Sequence, residues 1–229
     1  MPKKIRVAAL DDHLGIIDGY WYRLNQSPEV EMVGAAANAA DFEKLLTTKA
    51  VDLVFLDVWA PTSPDNSNPY PILHFIPKLL ELYPHLAVLV ISAVNERTLI
   101  QAVIDAGANG YILKEDNVAI ENLAAIVGAV SNGGIHLSPK AGEQLRQRRR
   151  KAGEPALTPR QLEALSLAAS HPEWPRTALA QDMAISNSTF RNLLHNSYLR
   201  LGVNTLSAAI FRARQLGMIT PQHPPLAMR

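Results

Sequence analysis

The 229-residue chain contains no cysteine, which excludes disulfides, thiolate metal sites and a cysteine nucleophile together. Long apolar runs are missing as well. Among the longest clean stretches, residues 87–94 have eight residues with a serine among them, too short to cross a bilayer. The N-terminal Met1-Pro2-Lys3-Lys4 is basic but no apolar core follows it, which predicts no secretory signal. These absences point to a soluble protein of the cytoplasm. With 48% hydrophobic and 19% charged residues, the chain has enough apolar material for packed cores and no compositional sign of wholesale disorder.

Net charge is also nearly absent, at +1, but the balance hides an asymmetry. Residues 1–131 carry 9 Lys/Arg against 16 Asp/Glu, or −7, and residues 132–229 carry 13 against 5, or +8. An acidic half joined to a basic half suggests two tasks, with the basic half meeting a polyanion.

The acidic half alternates short apolar runs with amphipathic stretches. Residues 5–10, 31–36, 51–56, 86–91 and 110–113 read as buried strands. Residues 14–24, 41–48, 72–82, 97–106 and 118–130 carry helical spacing, the last stopped by Asn132-Gly133-Gly134. Five strands alternating with five helices predict an α/β, doubly wound, five-stranded parallel sheet covered on both faces.

Polar residues fall at the C-terminal ends of these strands: Asp11 and Asp12, Asp57, Ser92 and Lys114. In an open α/β sheet those ends converge on one crevice, where ligands bind. Three carboxylates held together repel unless a cation sits among them, and an oxygen-only set suits Mg²⁺. A nearby hydroxyl and ammonium would complete a phosphoryl site, with Asp57 as the nucleophile of an aspartyl-phosphate.

The basic half is helical. Residues 138–151 form a basic amphipathic segment ending Arg146-Gln147-Arg148-Arg149-Arg150-Lys151. Thr158-Pro159 then opens a helix to about Ser170, with Thr as cap and Pro at the first position. A breaker at 171–175 precedes a short helix at 177–183, a tight turn at Ala184-Ile185, and a longer helix capped by Ser186 and ended by Gly202. A last helix covers 206–216. A short helix, a tight turn and a polar-faced second helix describe a helix-turn-helix. Asn187, Ser188, Arg191, Asn192, His195 and Arg200 are its candidate DNA contacts.

Five motifs of the first half, Asp11-Asp12-His13, Leu56-Asp57-Val58 with Pro61, Ile91-Ser92-Ala93, the Ala106–Gly110 run and Tyr111-Ile112-Leu113-Lys114, resemble those of a two-component receiver domain over roughly residues 3–133. The second half, through Leu157-Thr158-Pro159-Arg160, Leu165, Leu179-Ala180, Ser186, Thr189 and Leu201-Gly202-Val203, resembles the LuxR-type domain of the NarL/FixJ response regulators. The resemblance implies a flavodoxin-like receiver at 1–133, a linker with a basic helix at 134–156, a smaller all-α helix-turn-helix domain at 157–219 and a tail at 220–229. It implies Asp57 as phosphoacceptor, Asp11, Asp12, Asp57 and the Trp59 carbonyl as Mg²⁺ ligands, Ser92 and Tyr111 as switch residues, and Lys114 as phosphate contact. His13 receives no role beyond the helix start.

The resulting expectation is a cytoplasmic, phosphorylation-dependent transcriptional regulator, not an enzyme. Its partners would be a sensor histidine kinase, double-stranded DNA and a second copy of itself, with no membrane contact. Two alternatives are a receiver regulator acting without phosphorylation and a receiver whose helical half binds protein. A phosphatase would want a second acid two residues after Asp57, where Trp59 stands. Trp59 and the long, Pro/Asn/Ser-rich loop 61–71 depart from the receiver pattern, so that loop is expected to be mobile or remodelled. The connection 171–177 departs too, being about two residues longer than in the LuxR-type domains.

Overall fold

The computed structural model describes residues 4–146 and 156–222. Its N-terminal unit runs β1 (Ile5–Leu10), α1 (Leu14–Leu24), β2 (Val30–Ala36), α2 (Ala39–Thr48), β3 (Leu53–Leu56), β4 (Pro61–Ser63), β5 (Asn66–Pro69), α3 (Ile72–Leu82), β6 (Ala87–Ser92), α4 (Arg97–Asp105), β7 (Gly110–Leu113), α5 (Asn117–Glu121), α6 (Leu123–Ser131), β8 (His136–Leu137) and α7 (Pro139–Arg146). The sheet order is β2-β1-β3-β6-β7-β8, every pair parallel. Strand order reverses at β1, so the crevice opens between the ends of β1 and β3.

Both faces of the central strands are buried, as a doubly wound sheet requires. Val7, Ala9, Leu53, Phe55, Leu89 and Ile112 pack with α1 and α6, while Ala8, Leu10, Val54, Leu56, Val90 and Leu113 face α2, α3 and α4. The period-2 alternation within each apolar run assigns alternate residues to the two helical layers.

Two expectations need correction. The sheet has six strands, not five, because β8 adds a parallel edge to β7. Two residues carry no readable periodicity. Their place is set by Ser138, whose N–H donates to Tyr111 O at 3.0 Å and whose hydroxyl accepts from Leu113 N at 3.2 Å. Gly110 permits the approach, since a Cβ there would lie 2.2 Å from His136 O. The segment expected as linker from residue 134 thus begins inside the sheet. The expected helix 118–130 is broken at Asn122 (φ −96°, ψ 21°), whose side-chain amide at 2.8 Å joins its own backbone N–H at 3.2 Å on Val118 O. The loop 61–71 is remodelled into the antiparallel hairpin β4–β5. Its prolines are tolerated because a two-stranded ribbon leaves outward edges where no donor is needed.

The helical unit contains α8 (Pro159–Ser170), α9 (Arg176–Asp182), α10 (Asn187–Leu201) and α11 (Leu206–Gln215). Thr158 and Gln161 form a capping box at α8, Ser186 accepts from Thr189 N at α10, and Thr205 accepts from Ala208 N at α11. Between α9 and α10, Ala184 takes φ 52°, a left-handed conformation that a tight turn imposes on a residue with a Cβ. Leu165, Leu179, Phe190, Leu194 and Ala209 fill the centre. This core is continuous with the α3 side of the sheet, and α8 is buried from Gln161 through Ser170, polar residues included. Of the expected basic segment, α7 is described. Residues 147–151, which hold most of the arginine run, lie outside the described residues, as do tail residues 223–229.

Candidate functional site

The crevice is built from backbone outward. Asp11 follows β1 and its N–H donates to Ala36 O at 3.1 Å, while Asp57 follows β3 and donates to Leu10 O at 2.8 Å. These ladder bonds bring both carboxylates to the strand ends, where they are 1% and 2% exposed. Lys114, following β7, is anchored by its N–H on Ser92 O at 2.8 Å. Its Nζ lies 2.7 Å from Asp11 Oδ2 and 2.8 Å from Asp57 Oδ2. One ammonium therefore bridges two buried carboxylates.

Burial pushes the Asp57 carboxyl above the usual carboxylate range and Asp11 adds to it, against the opposing pull of Lys114. Burial also opposes charge on Lys114, but Asp57 and Asp11 outweigh it and hold its pKa above the ordinary lysine value. Asp12 projects outward, and ligand atoms of Asp11, Asp12, His13 and Asp57 all lie within 4.8 Å of one another. A compact set rich in carboxylate oxygen, with open solvent on one side, fits a hard divalent cation that keeps several waters.

The remaining expected residues are distributed around this core. Ser92 is fully buried and its hydroxyl accepts from Val94 N at 3.1 Å. Tyr111 is also fully buried and donates to Val94 O at 2.7 Å, so ring and hydroxyl are turned inward onto the loop after β6. The Trp59 N–H points to Asp57 Oδ1 at 3.4 Å, but its indole reaches away, with Nε1 donating to Pro221 O at 3.1 Å. His13, given no role by sequence reasoning, places Nδ1 2.8 Å from Asp12 Oδ1, and Tyr20 donates to Asp11 Oδ2 at 3.4 Å. The adjacency of His13 to the Asp11-Asp12 pair was the available signal; nothing in sequence marked Tyr20, nine positions on.

On the helical unit, Asn187, Ser188, Arg191, Asn192 and His195 are all exposed on α10, opposite the buried Phe190, Leu194, Ser197 and Leu201. Ser188 is partly engaged at the cap, 2.8 Å from Ser186 Oγ. Arg200 is exposed too, but its guanidinium is tied to Ala156 O ahead of α8, apart from the other five.

The fold and crevice define a receiver-type phosphoacceptor architecture joined to a four-helix unit. Residues 7–127 match the response regulator receiver domain, and the chain belongs to the response regulators, of the NarL/FixJ type. It is 24% identical over 220 residues to the transcriptional regulatory protein YdfI of Bacillus subtilis, covering 94% of this chain and 98% of that one. It is 27% identical over 214 residues to the probable transcriptional regulatory protein NarL of Mycobacterium tuberculosis, covering 93% and 94%. Among solved structures it resembles RcsB from Salmonella enterica serovar Typhimurium bound to promoter DNA with the phosphomimetic BeF3⁻. The TM-score is 0.59 at 20% identity, covering 92% of this chain and 98% of that one. Those relatives are named as transcription regulators rather than enzymes. No helix among the described residues is long and apolar enough to cross a membrane.

Proposed function

We propose that this chain is a DNA-binding transcriptional regulator switched by a phosphoryl group that Asp57 accepts from a histidine kinase in the cytoplasm. The observation that carries the reading is the Lys114 ammonium spanning Asp11 and Asp57 at the strand-order switch point. An Asp57 oxygen would attack phosphorus as the bond to the donor imidazole nitrogen breaks, leaving a mixed anhydride on Asp57. Asp11, Asp12, Asp57 and the Trp59 carbonyl would hold Mg²⁺, which when bound neutralises charge on the phosphoryl oxygens. Lys114 would exchange Asp57 for a phosphoryl oxygen. The Ser92 hydroxyl, which accepts from Val94 N and is hydrogen-bonded to Tyr111, would turn its proton to another. Tyr111 would move with the loop that carries Val94.

Residues 157–219 would form the DNA-binding domain, with Asn187, Ser188, Arg191, Asn192 and His195 reading or positioning DNA and Arg200 touching its backbone. A homodimer would present two such helices to paired half-sites. The receiver would extend from the N-terminus through α6, with β8 and α7 forming the first part of the connection.

The decisive experiment incubates the full chain with acetyl phosphate and Mg²⁺ and measures intact mass. One phosphoryl group should add to wild type and none to Asp57→Asn. Uptake by Asp57→Asn would overturn the assignment.

A further inference from the structure

The two units are joined by more than apolar packing. His74 on α3, buried with its side chain 8% exposed, places Nδ1 2.8 Å from Glu163 Oε1 on α8 and Nε2 2.8 Å from Asp182 Oδ2 at the end of α9. Nδ1 is hydrogen-bonded to Glu163, while Nε2 meets Asp182 at ion-pair distance without hydrogen-bond alignment. Two carboxylates on opposite sides of one buried ring favour the imidazolium over the neutral form by charge.

Every neighbouring charged group can be placed. Lys78, one turn along α3, lies 3.3 Å from Asp182 Oδ1, and Arg160 on α8 lies 2.7 Å from Glu163 Oε2. Glu43 on α2 accepts from the Tyr70 hydroxyl. His171 and Glu173, just past α8, lie 3.7 Å apart. Together with His74 and Asp182, Glu43, Tyr70, His171 and Glu173 line a cleft of about 400 Å³ between the units.

Two of the places where the sequence departs from its family pattern, the loop 61–71 and the connection 171–177, meet here. Hairpin residue Asn66 donates to Ser170 O at 2.8 Å, and Ser170 Oγ donates to Pro69 O. The longer connection after α8 stacks His171 on Trp174 at 3.9 Å beside the cleft. Farther along the interface, Gly217 packs so closely on Glu96 that a Cβ would lie 2.5 Å from its side chain.

We propose that His74 is a proton-controlled clasp: its imidazolium ties the helical unit to the α3 face of the receiver through Glu163 and Asp182, and its deprotonation releases them. The clasp does not cover the exposed face of α10, so it governs the mutual placement of the units rather than access to that face. It rests on contacts between the units and not on the phosphoryl reading.

The sign follows from the shifts. Desolvation opposes charge on His74, but Asp182 and Glu163 outweigh it and raise its pKa. Clasping is therefore fully supported below the ordinary histidine value of ~6.5 and is lost as pH rises through the raised value. For Glu163, desolvation is outweighed by His74 and Arg160, and its pKa is lowered; Asp182, paired with His74, falls to about 2. Their support is present above ordinary carboxylate values of ~4 and is lost as pH falls through the lowered values. His171 is held down by desolvation, and His74 adds to this, so its protonation does not compete near neutrality.

Because the chain has no cysteine, Glu121→Cys and Asn196→Cys, both at exposed positions, accept a dye pair cleanly in the full chain. Energy transfer should be high at pH 6 and fall with a midpoint above 6.5. In the His74→Gln background it should be low and flat with pH. In the Asp182→Asn background, which keeps the buried ring and changes a partly exposed carboxylate, the midpoint should move down. Circular dichroism confirms folding of each. Transfer that is constant from pH 5.5 to 9 in wild type, or an unchanged midpoint in Asp182→Asn, would overturn the clasp.

Discussion

The Trp59 indole donates a hydrogen bond to the carbonyl of Pro221 across 162 positions of sequence. It links the loop that follows Asp57 to the segment that follows α11, where Met218, Ile219 and Thr220 are buried. The residue that departs from the receiver pattern is thus spent on contact between units rather than on covering the carboxylate.

Removing that donor while keeping an aromatic ring tests the link. Trp59→Phe should loosen residues 218–221, since one neutral hydrogen bond contributes ~1 kcal/mol. Hydrogen exchange at Ile219 and Thr220 should rise roughly fivefold. Unchanged protection would show that the contact holds nothing.

The buried carboxylate sets a pH dependence for the metal-free protein. The Asp57 pKa is raised, mainly by desolvation, so its support for folding is full below the unfolded carboxylate value of ~4 and lost as pH rises through the raised value. Asp57→Asn should therefore be more stable than wild type at pH 7.5 and lose that advantage at pH 4. Thermal unfolding without Mg²⁺ at both pH values checks this, and adding Mg²⁺ should narrow the gap at pH 7.5 by binding the native carboxylates.

On α10, Arg191 is the exposed arginine near the helix start, one turn from Asn187 and His195. Arg191→Ala should cost ~1–3 kcal/mol at one base pair if it reads a guanine, or lower the salt slope by about one if it meets phosphate. Titration of a target duplex at several salt concentrations separates the two. Wild-type affinity at every salt would exclude α10 as the reader.

The α8 capping box offers a stability test away from both sites. Thr158 accepts from Gln161 N at 3.3 Å, and the Gln161 side chain accepts from Thr158 N at 2.9 Å. Thr158→Ala should cost ~1 kcal/mol, read as a lower denaturation midpoint of the helical unit with phosphoryl uptake intact.

The receiver strands, their order along the chain, the polar residues at their ends and the caps of α8 and α10 were legible in sequence. Each rests on local rules: apolar period, residue type at a strand end, Thr-Pro or Ser at a helix start. Even the hairpin at 61–71 announced itself as an abnormal loop, though not its pairing. Local rules stop where a neighbour decides. The edge strand β8 is two residues placed by bonds from Ser138 and by the missing side chain of Gly110. The break at Asn122 is a change of backbone angles where its side-chain amide and its own N–H share one carbonyl, that of Val118. Glu163 and Ser170 on α8 are polar yet buried, because α3 and β5 cover them. His74, Glu163 and Asp182 have nothing in common along the chain, 89 and 108 positions apart, and no period or motif pairs them. Sequence by itself determined which residues are inside the sheet and which carboxylates meet at its switch point, because strand periodicity and topology propagate those positions. Only the tertiary structure decided how the two units face each other, because that contact is made by side chains whose burial and charge depend on an element from the other half of the chain.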